Sequence, residues 1–398
     1  MNGTARHSLL SPPPLCSLRR EQTGGDAAQL NGLAPVSRHS PFALLHSTLL
    51  LLVCLCSVSL LAAAEKSTVA WNDCHRQKPE WYAGEEAIRI ADNVLLYQRS
   101  SGGWPKNIDM ARLLDDAQKD TLRKDKQKTD STLDNNATHT QIRYLAKVYE
   151  ATRIERFKTG FIRAIDYLLA AQYPGGGWPQ FYPLRGGYSN HVTFNDGAMI
   201  GAMGVLGDVA RREPPFAPVD QQRCRRAEEA VEKGIECILR LQIVVDGKRT
   251  AWCAQHDEKT GEPRPARSYE KASISGAESV GVVRFLMGLD DPSPRIVEAV
   301  ESAVAWFEQA KIPGIRQAKV PDPAMPRGFD HVIVEDPTAV PIWARFYEIG
   351  SNRPIFCSRD GIIRRRLAEI SPERRTGYAW YGYWPATLLS KDYPAWRK

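Results

Sequence analysis

Apolar residues recur at spacings of three and four over much of the chain, the period of an amphipathic helix. Ile142, Leu145 and Val148 show the pattern in one segment, and Ile165 and Leu168 show it in the next. Segments with this pattern predict helices at residues 138–153, 157–172, 198–211, 222–242, 277–289 and 294–310. Alternating Val-rich segments are scarce, so the pattern indicates a helical protein with little sheet.

A repeat joins three of these segments. Each copy reads as an apolar helix, a glutamine, a turn and a tryptophan, and the tryptophans, Trp104, Trp178 and Trp252, lie 74 residues apart. The third copy lacks the GGWP turn of the first two. A period of this length fits two antiparallel helices and a long loop. We therefore predict an all-α domain at residues 65–398, in which antiparallel helix pairs close into a partial α/α toroid with long Gly-rich loops at one end. An open helical array would give the same pattern.

The first 64 residues have a different composition. Arginines precede an apolar run at residues 42–64 that ends in three alanines. Small residues after a short apolar stretch are typical of a signal-peptidase site. We predict that residues 1–64 are an N-terminal extension and secretory signal peptide, so that the protein is secreted or periplasmic. A membrane anchor is the alternative, because the run approaches the roughly 20 residues that span a bilayer.

Composition and charge narrow the function classes. The 398 residues are 43% hydrophobic and 25% charged, as in globular proteins, and the net charge of +7 is spread along the chain. Nucleic acid is therefore not a predicted partner, since that function needs clustered charge. Five cysteines follow residue 64 without a CxxC pair, which excludes a cysteine zinc site and leaves one disulfide possible. They are Cys74, Cys224, Cys237, Cys253 and Cys357.

Two polar clusters precede predicted helices. Asp134 and Asn135 come before one helix, and Asn195 and Asp196 come before another. Asp and Asn are preferred N-caps, which would explain both clusters locally. Both clusters also follow repeat turns and could face one cleft, and carboxylate and amide oxygens are the ligands that Ca²⁺ takes. The sequence leaves both interpretations open.

A third cluster is cationic. Arg267, Arg345, Arg353 and Arg359 are interleaved with aromatic residues. Arginine recognises carboxylates through two parallel hydrogen bonds, and aromatic rings can pack on sugar faces, so we predict contacts with an acidic sugar, including one from Arg353. For Arg359 a local ion pair with Asp360 is the alternative. The chain contains no GxSxG, P-loop or HExxH motif.

Together these motifs resemble the family 10 polysaccharide lyases, the pectate lyases. The similarity runs from about residue 71 to the C-terminus and rests on six ordered segments: NVLLYQRSSGGWPKNIDM, LDNNATHTQIRYLAKVYEAT, GGWPQFYPLRGGYSNHVTFNDGAM, RSYEKASISGAESVGVVRFLM, DPTAVPIWARFYEIGSNRPIFCSRDG and GYAWYGYWP. The resemblance implies a partial α/α toroid that cleaves the α-1,4 bonds of polygalacturonate by Ca²⁺-assisted β-elimination, giving 4,5-unsaturated oligogalacturonides.

The resemblance also implies roles for individual residues. Arg359, in the RDG segment, would be the Brønsted base that takes the C5 proton. Arg345 and Arg267 would bind substrate carboxylates, and Lys106 would be a further uronate contact. An arginine base is unusual because the reference pKa of arginine is above 12. Crowding by Ca²⁺, Arg345 and Lys106 would disfavour its charged form.

The metal neighbourhood implied by the resemblance consists of Asp134, Asn135 and Asp196. Asn136 stands where the family pattern has glycine. Removing a proton beside a uronate carboxylate builds up negative charge, which Ca²⁺ and arginines would stabilise. Two other functions remain open: hydrolysis of an acidic polysaccharide with Asp134 and Asp196 as the carboxylate pair, or pectin binding without catalysis. We expect no obligate protein partner and a monomer.

Overall fold

Helices and the turns between them make up most of residues 69–398, the part of the chain that this computed structural model describes. The predicted signal peptide at residues 1–64 lies outside the described part. The helices are α1 (Trp71–Cys74), α2 (Glu85–Tyr97), α3 (Asp116–Lys124), α4 (His139–Thr152), α5 (Glu155–Ala171), α6 (Ala198–Ala210), α7 (Gln221–Leu241), α8 (Glu278–Met287), α9 (Pro294–Gln309), α10 (Pro372–Gly377) and α11 (Tyr393–Trp396). The six predicted helices are confirmed, with ends within two residues of the expected ones. Within residues 69–398, no helix is both long enough and apolar enough to span a bilayer.

The longer helices of the domain pack in two rows. In one row, here called the site row, α4 packs against α6 and α6 against α8. In the other, the repeat row, α2, α5, α7 and α9 pack in succession. Helices α4 and α5 pack along each other and are joined by only two residues, which makes them antiparallel. The helix pairs are as expected, and the closure into a partial α/α toroid remains a prediction.

The repeated tryptophans hold each turn against its own helix. All three indole rings are buried, and each indole nitrogen donates a hydrogen bond to a carbonyl near the end of the preceding repeat-row helix. The pairs are Trp104 with Val94, Trp178 with Leu168, and Trp252 with Ile238, at 2.7, 2.8 and 2.8 Å. A buried indole N–H needs a partner, so this bond fixes where the chain leaves the helix.

The repeated glutamines connect one copy to the next. Each side-chain amide donates two hydrogen bonds of 2.8–3.0 Å, one to its own turn and one to the following repeat-row helix. The donors and acceptors are Gln98 with Gly102 and Gly160, Gln172 with Gly176 and Ala230, and Gln242 with Thr250 and Ala299. The sequence repeat is therefore a structural unit that joins α2 to α5, α5 to α7 and α7 to α9.

The chain also contains β-structure that the helical pattern does not predict. Strands β6 (Ile315–Pro321) and β7 (Phe329–Glu335) form an antiparallel hairpin with Ile315 opposite Glu335. The other strands are two-residue pairs: β1 (Val192–Thr193) with β4 (Gln255–His256), β2 (Val244–Val245) with β3 (Lys248–Arg249), β5 (Ile274–Ser275) with β9 (Phe346–Tyr347), β8 (Trp343–Ala344) with β12 (Tyr381–Gly382), and β10 (Phe356–Cys357) with β11 (Ile363–Arg364). These short pairs tie loops together and do not form a continuous sheet.

A fourth tryptophan makes the same contact, after the hairpin in sequence. The Trp343 indole donates to the carbonyl of Phe307 in α9 at 2.9 Å, as the earlier tryptophans do with their helices. The hairpin lies between α9 and Trp343 and disrupts the 74-residue spacing, so the sequence period misses this copy. The five cysteines in residues 69–398 are all buried free thiols, and the possible disulfide does not form among them.

Candidate active site

The two predicted polar clusters have the same backbone conformation. Each forms one turn of 3₁₀ helix, at Asp134–Asn136 before α4 and at Asn195–Gly197 before α6. In the first turn the second and third residues have φ of 49° and 62°, and in the second turn 50° and 69°. Asn, Asp and Gly are the residues that adopt this left-handed conformation at least cost, which explains the composition of both turns and the tolerance of Asn136 in place of glycine.

Neither cluster caps its helix. The residue before α4 is Thr138 and the one before α6 is Gly197, and no side chain among residues 69–398 caps either helix. By contrast, α7 begins with a side-chain cap, because Asp220 accepts a hydrogen bond from the Arg223 N–H at 3.0 Å. The capping interpretation of the two clusters is therefore wrong. Their side chains line a cleft instead.

Two carboxylates meet in this cleft. Asp134 is only 2% exposed, its Oδ2 accepts a hydrogen bond from Lys106 Nζ, and its Oδ1 has no hydrogen-bond partner among the described residues. Partial burial raises the pKa of Asp196, and the adjacent Asp134 carboxylate raises it further. The amide of Asn195 donates to Asp196 Oδ2 at 2.6 Å. Lys106 therefore neutralises Asp134, and the nearby Arg345 only partly offsets the effect of burial and of Asp134 on Asp196.

This donor set fits a hard divalent cation. Asp134 offers an unpartnered buried oxygen, and Asp196 offers a second carboxylate in the same cleft, whose pKa Asp134 raises. The amide nitrogen of Asn135 donates to Asn107 Oδ1 at 2.8 Å, an orientation that leaves the Asn135 amide oxygen available. Carboxylate and amide oxygens in flexible number are the ligands of Ca²⁺.

A third carboxylate, which sequence analysis missed, begins the next site-row helix. Glu278 is the first residue of α8, and its Oε2 accepts the backbone N–H of Asp196 at 3.2 Å. Its Oε1 accepts a hydrogen bond from Arg345 Nη2. Burial raises the pKa of Glu278, and the neighbouring Asp196 adds to this effect. All three helices of the site row thus have an acidic residue near their N-terminal end. This regularity in the sequence could have identified Glu278 as a site residue.

Arg345 is held beside the two acidic turns. Only 13% of its side chain is exposed, and Glu278 fixes one end of the guanidinium. Its guanidinium carbon lies 5.1 Å from the centre of the Tyr378 ring and 5.9 Å from that of Trp384. Its Nε has no hydrogen-bond partner among the described residues. Arg345 therefore has a fixed position beside the cleft, although it is not among the residues that line it.

Arg267 and Lys271 approach the same cleft from the opposite wall. Arg267 Nε donates to Glu270 Oε2 at 2.7 Å, and its guanidinium lies over the Tyr269 ring at 4.9 Å. Tyr378 donates its O–H to Glu270 Oε1 at 2.7 Å, so one carboxylate orients both groups. Lys271, which sequence analysis missed, has no ion pair with any described residue. The cleft therefore combines three carboxylates, those of Asp134, Asp196 and Glu270, with several cations, as recognition of an acidic sugar and a metal requires.

Arg359 lies beside this wall but does not line the cleft. Its carbonyl accepts the Ser268 O–H at 2.8 Å, and 65% of its side chain is exposed. Its guanidinium binds Glu373 through two hydrogen bonds of 3.0 and 3.2 Å, and this ion pair raises the pKa of Arg359. One expectation needs correction, because the ion-pair partner is Glu373 and not Asp360, which binds Arg364 instead. The nearby Arg267 lowers the pKa of Arg359, but by less than Glu373 raises it.

Arg353 lies apart from the other predicted site residues. It is on an exposed turn, where its Nη2 contacts Glu348 Oε2 at 3.4 Å. It does not line the cleft that contains Asp134, Asp196 and Arg267. The structure therefore does not support the predicted substrate contact at Arg353, because sequence proximity to aromatic residues did not reflect proximity to the cleft.

A second group of possible metal ligands lies near one end of the cleft. His191, Asp257 and Glu258 each place one ligand atom within 4.8 Å of the others. The oxygens of Asp257 are already occupied, because one accepts two backbone N–H groups at 2.9 and 3.0 Å and the other accepts Arg264 Nε at 3.1 Å. These bonds hold the pKa of Asp257 at about 2. This group is a hydrogen-bonded loop anchor, distinct from the Asp134 and Asp196 turns.

Comparisons with known proteins agree on one family. The sequence model of a family described as pectic acid lyase matches residues 98–389. A solved family 10 polysaccharide lyase from Cellvibrio cellulosa is 34% identical, with a TM-score of 0.69, over 81% of this chain and 94% of that one. A mutant of a family 10 lyase from the same organism, in complex with trigalacturonic acid, gives the same identity and TM-score over 79% of this chain and 95% of that one. No curated protein sequence matches.

Proposed function

This chain belongs to the pectic acid lyase family and is a polysaccharide lyase, and we propose that it cleaves the α-1,4 bonds of polygalacturonate by Ca²⁺-assisted β-elimination. The observation that carries the proposal is the meeting of Asp134 and Asp196 opposite Arg267 in one cleft. A neutral polysaccharide has no charged groups with which these side chains could interact. A similar lyase in complex with trigalacturonic acid supports an acidic substrate.

Asp134, Asn135 and Asp196 are the residues that would hold Ca²⁺. The bound ion would supply positive charge next to the uronate carboxylate and so stabilise the charge that develops there. The unpartnered Oδ1 of Asp134 and the raised pKa of Asp196 support this assignment, since both are relieved by a cation.

Arg345, Arg267 and Lys106 would bind the substrate carboxylates. Arg345 is fixed by Glu278 and Arg267 by Glu270, so both guanidinium groups are oriented before substrate arrives. Fixed donors cost little reorganisation when charge builds up on the sugar, which is the condition for electrostatic stabilisation of a transition state. Lys106 already contacts Asp134 and lies where the metal and the uronate would meet.

We propose Arg359 as the base. Its unprotonated guanidine would take the C5 proton, the electrons of the C–H bond would form the C4–C5 double bond, and the C4–O bond would break. The departing oxygen then takes a proton from the protonated arginine or from water. The ion pair with Glu373 opposes this role, because it favours the charged form of Arg359. Arg359 must therefore separate from Glu373 when substrate binds, which its exposed position allows.

The structure also bears on the two other functions considered. A glycoside hydrolase needs only a pair of carboxyl groups for catalysis. The arginine and lysines that line the cleft with Asp134 and Asp196, which are Arg267, Lys106 and Lys271, would then have no role. Pectin binding without catalysis would not need a carboxylate pair. We further propose that the protein is secreted or periplasmic, on the basis of the signal-peptide pattern in residues 1–64. We also propose a monomer, because one chain supplies all the residues that line the cleft.

The test is incubation of the full chain with polygalacturonate at alkaline pH, with and without a chelator. We expect ultraviolet absorbance from the new conjugated double bond, loss of this signal on chelation, and recovery with added Ca²⁺. Reducing ends without absorbance would indicate hydrolysis, and retention of polymer without cleavage would indicate binding alone. Either result would overturn the proposal.

The base is tested separately. We expect Arg359→Ala to abolish detectable elimination, whereas Arg366→Ala, an exposed arginine that is also paired with a glutamate, should keep full activity. Glu373→Gln should shift the alkaline rise of the rate to lower pH, because loss of the carboxylate lowers the pKa of Arg359. An unchanged rate for Arg359→Ala would exclude it as the base.

A further inference from the structure

The cleft continues past the two acidic turns into a wider groove. Lys106, Asn135 and Asp196 line both spaces, so the inner pocket and the outer groove are continuous. The inner pocket has a volume of about 190 Å³ and the outer groove about 1040 Å³. Pockets for drug-sized ligands range from about 300 to 1000 Å³, so the inner pocket suits little more than one sugar ring and the groove has room for more.

The first described residues form one wall of this groove. Ala70, Trp71, His75 and Arg76 line it, opposite Asn136. This segment precedes residue 98, where the match to the family begins. The wall therefore lies outside the residues that the family model matches.

Several contacts fix this wall in place. The backbone N–H of Trp71 donates to Asp109 Oδ1 at 3.2 Å, and the carbonyl of Cys74 accepts the Tyr82 O–H at 2.9 Å. Lys147 in α4 donates to the carbonyl of His75 at 3.3 Å. The Trp71 ring packs edge-on against Tyr144, also in α4, at 5.2 Å between ring centres. The backbone next to Arg76 is thus tied to the same helix that follows the Asp134 turn.

Arg76 differs from the arginines that lie in or beside the cleft. Arg267, Arg345 and Arg359 are each paired with a carboxylate. The Arg76 side chain is exposed in the groove and has neither an ion pair nor a hydrogen bond with any residue from 69 to 398. A guanidinium on a fixed wall, with all its donors open to the groove, is suited to two-pronged binding of a carboxylate.

We propose that Arg76 binds the carboxylate of a galacturonate unit that lies beyond the one held between Asp134 and Arg267. The N-terminal wall then favours chains that are long enough to reach both positions over shorter ones. The inference rests on the proposed function, since it takes polygalacturonate as the ligand. It adds a distal binding position and the residue that determines it.

The test compares Arg76→Ala with the parent chain on trigalacturonate and on an octamer. We expect kcat/KM for the octamer to fall about tenfold through a higher KM, the order expected for loss of a charge-assisted contact, with kcat unchanged and with little change for the trimer. Arg76→Lys should restore part of the preference. Arg225→Ala, which removes the same charge from an exposed position on α7, should leave both substrates unaffected.

Binding separates this inference from the proposed function. Calorimetry with the same oligomers in EDTA gives their affinities without turnover, and Arg76→Ala should again weaken only the octamer. Equal losses for trimer and octamer, no loss, or an equal loss in Arg225→Ala would overturn the role of Arg76. Absence of unsaturated product from the parent chain would instead overturn the proposed reaction, and the affinity ratio would still test Arg76.

Discussion

The two turns that begin α4 and α6 have one backbone conformation and opposite side-chain order. At Asp134–Asn136 the carboxylate comes first and the amide second, and at Asn195–Gly197 the amide comes first and the carboxylate second. The first-position carboxylate is buried against Lys106, while the second-position carboxylate of Asp196 is at the surface of the cleft. The same turn, used twice with the order reversed, therefore brings two carboxylates together from non-equivalent positions.

The glutamine and tryptophan of each repeat, unlike the two acidic turns, keep the same contacts from copy to copy. The glutamine and the tryptophan make the same hydrogen bonds in all three copies. Packing between helices allows few solutions, because a buried donor without a partner costs about 1–3 kcal/mol. The turns that face the cleft are free of this constraint and differ from copy to copy. Stability and chemistry are thus assigned to opposite ends of the same repeat.

The largest effect is expected from removing the charge of the first turn. Asp134→Asn should lower kcat/KM for polygalacturonate by roughly 100-fold or more, since changing a residue that only orients a metal ligand already costs about 10–100-fold. In EDTA its Tm should be equal to or higher than that of the parent, because the repulsion with Asp196 is relieved. Asn136→Gly, in the same turn, is the control and should keep its activity. Full activity of Asp134→Asn would remove Asp134 from the site.

Acid should destabilise the core behind both turns. His139 begins α4 after the first turn, His256 packs on Phe194 beside the second, and burial lowers the pKa of each to about 4. Their unfolded-state pKa is near 6.5, so the unfolded chain binds more protons between these values, and the free energy of unfolding should fall as the pH drops from about 6.5 to about 4. The loss is about 3 kcal/mol for each histidine.

Urea denaturation at several pH values measures this effect. Asp196 and Glu278 have raised pKa values and act in the opposite direction, since the folded state holds their protons more tightly. His256→Gln isolates the histidine contribution and should flatten the pH dependence. A slope unchanged by this substitution would show that His256 is not held neutral.

A smaller effect is expected from the invariant half of the repeat. Gln172→Ala leaves the carbonyls of Gly176 and Ala230 without their side-chain donor and should lower the free energy of unfolding by about 2 kcal/mol. Activity per folded molecule should not change, because the glutamine faces the repeat row. Gln222→Ala, at an exposed position of α7, is the control. Denaturation and rate measurements on the same samples test this prediction. A loss of rate without a loss of stability would show that the glutamine contributes to activity and not only to stability.

The smallest effect is expected at Arg353. Its side chain contacts only Glu348 among the described residues, on an exposed turn, and such surface ion pairs contribute about 0–1 kcal/mol. Arg353→Ala should change kcat/KM for polygalacturonate by less than about twofold, because an exposed ion pair of this kind contributes near the lower end of that energy range. Arg267→Ala, made in parallel, should have a much larger effect. A comparable loss in both variants would place Arg353 in substrate binding after all.

The sequence predicted the helices closely because their apolar period is local. It also found Asp134, Asn135, Asp196, Arg267 and Lys106, all of which line one cleft. It missed Glu278 and Lys271, because their importance depends on the groups they meet in space: Glu278 binds Arg345 and the Asp196 N–H, and Lys271 lines the cleft. It missed the β6–β7 hairpin, whose insertion interrupts the repeat.

The sequence by itself determined the helices, the repeat and the residue types that this chemistry needs, since periodicity and turn composition act over a few residues. Only the tertiary structure decided which charges meet. It placed Asp134 near Asp196, which is 62 positions away in sequence. It also paired Arg345 with Glu278, and it paired Arg359 with Glu373 and not with the adjacent Asp360. The physical reason is that Coulomb energy and burial depend on distance in space, and the packing of the two helix rows sets that distance.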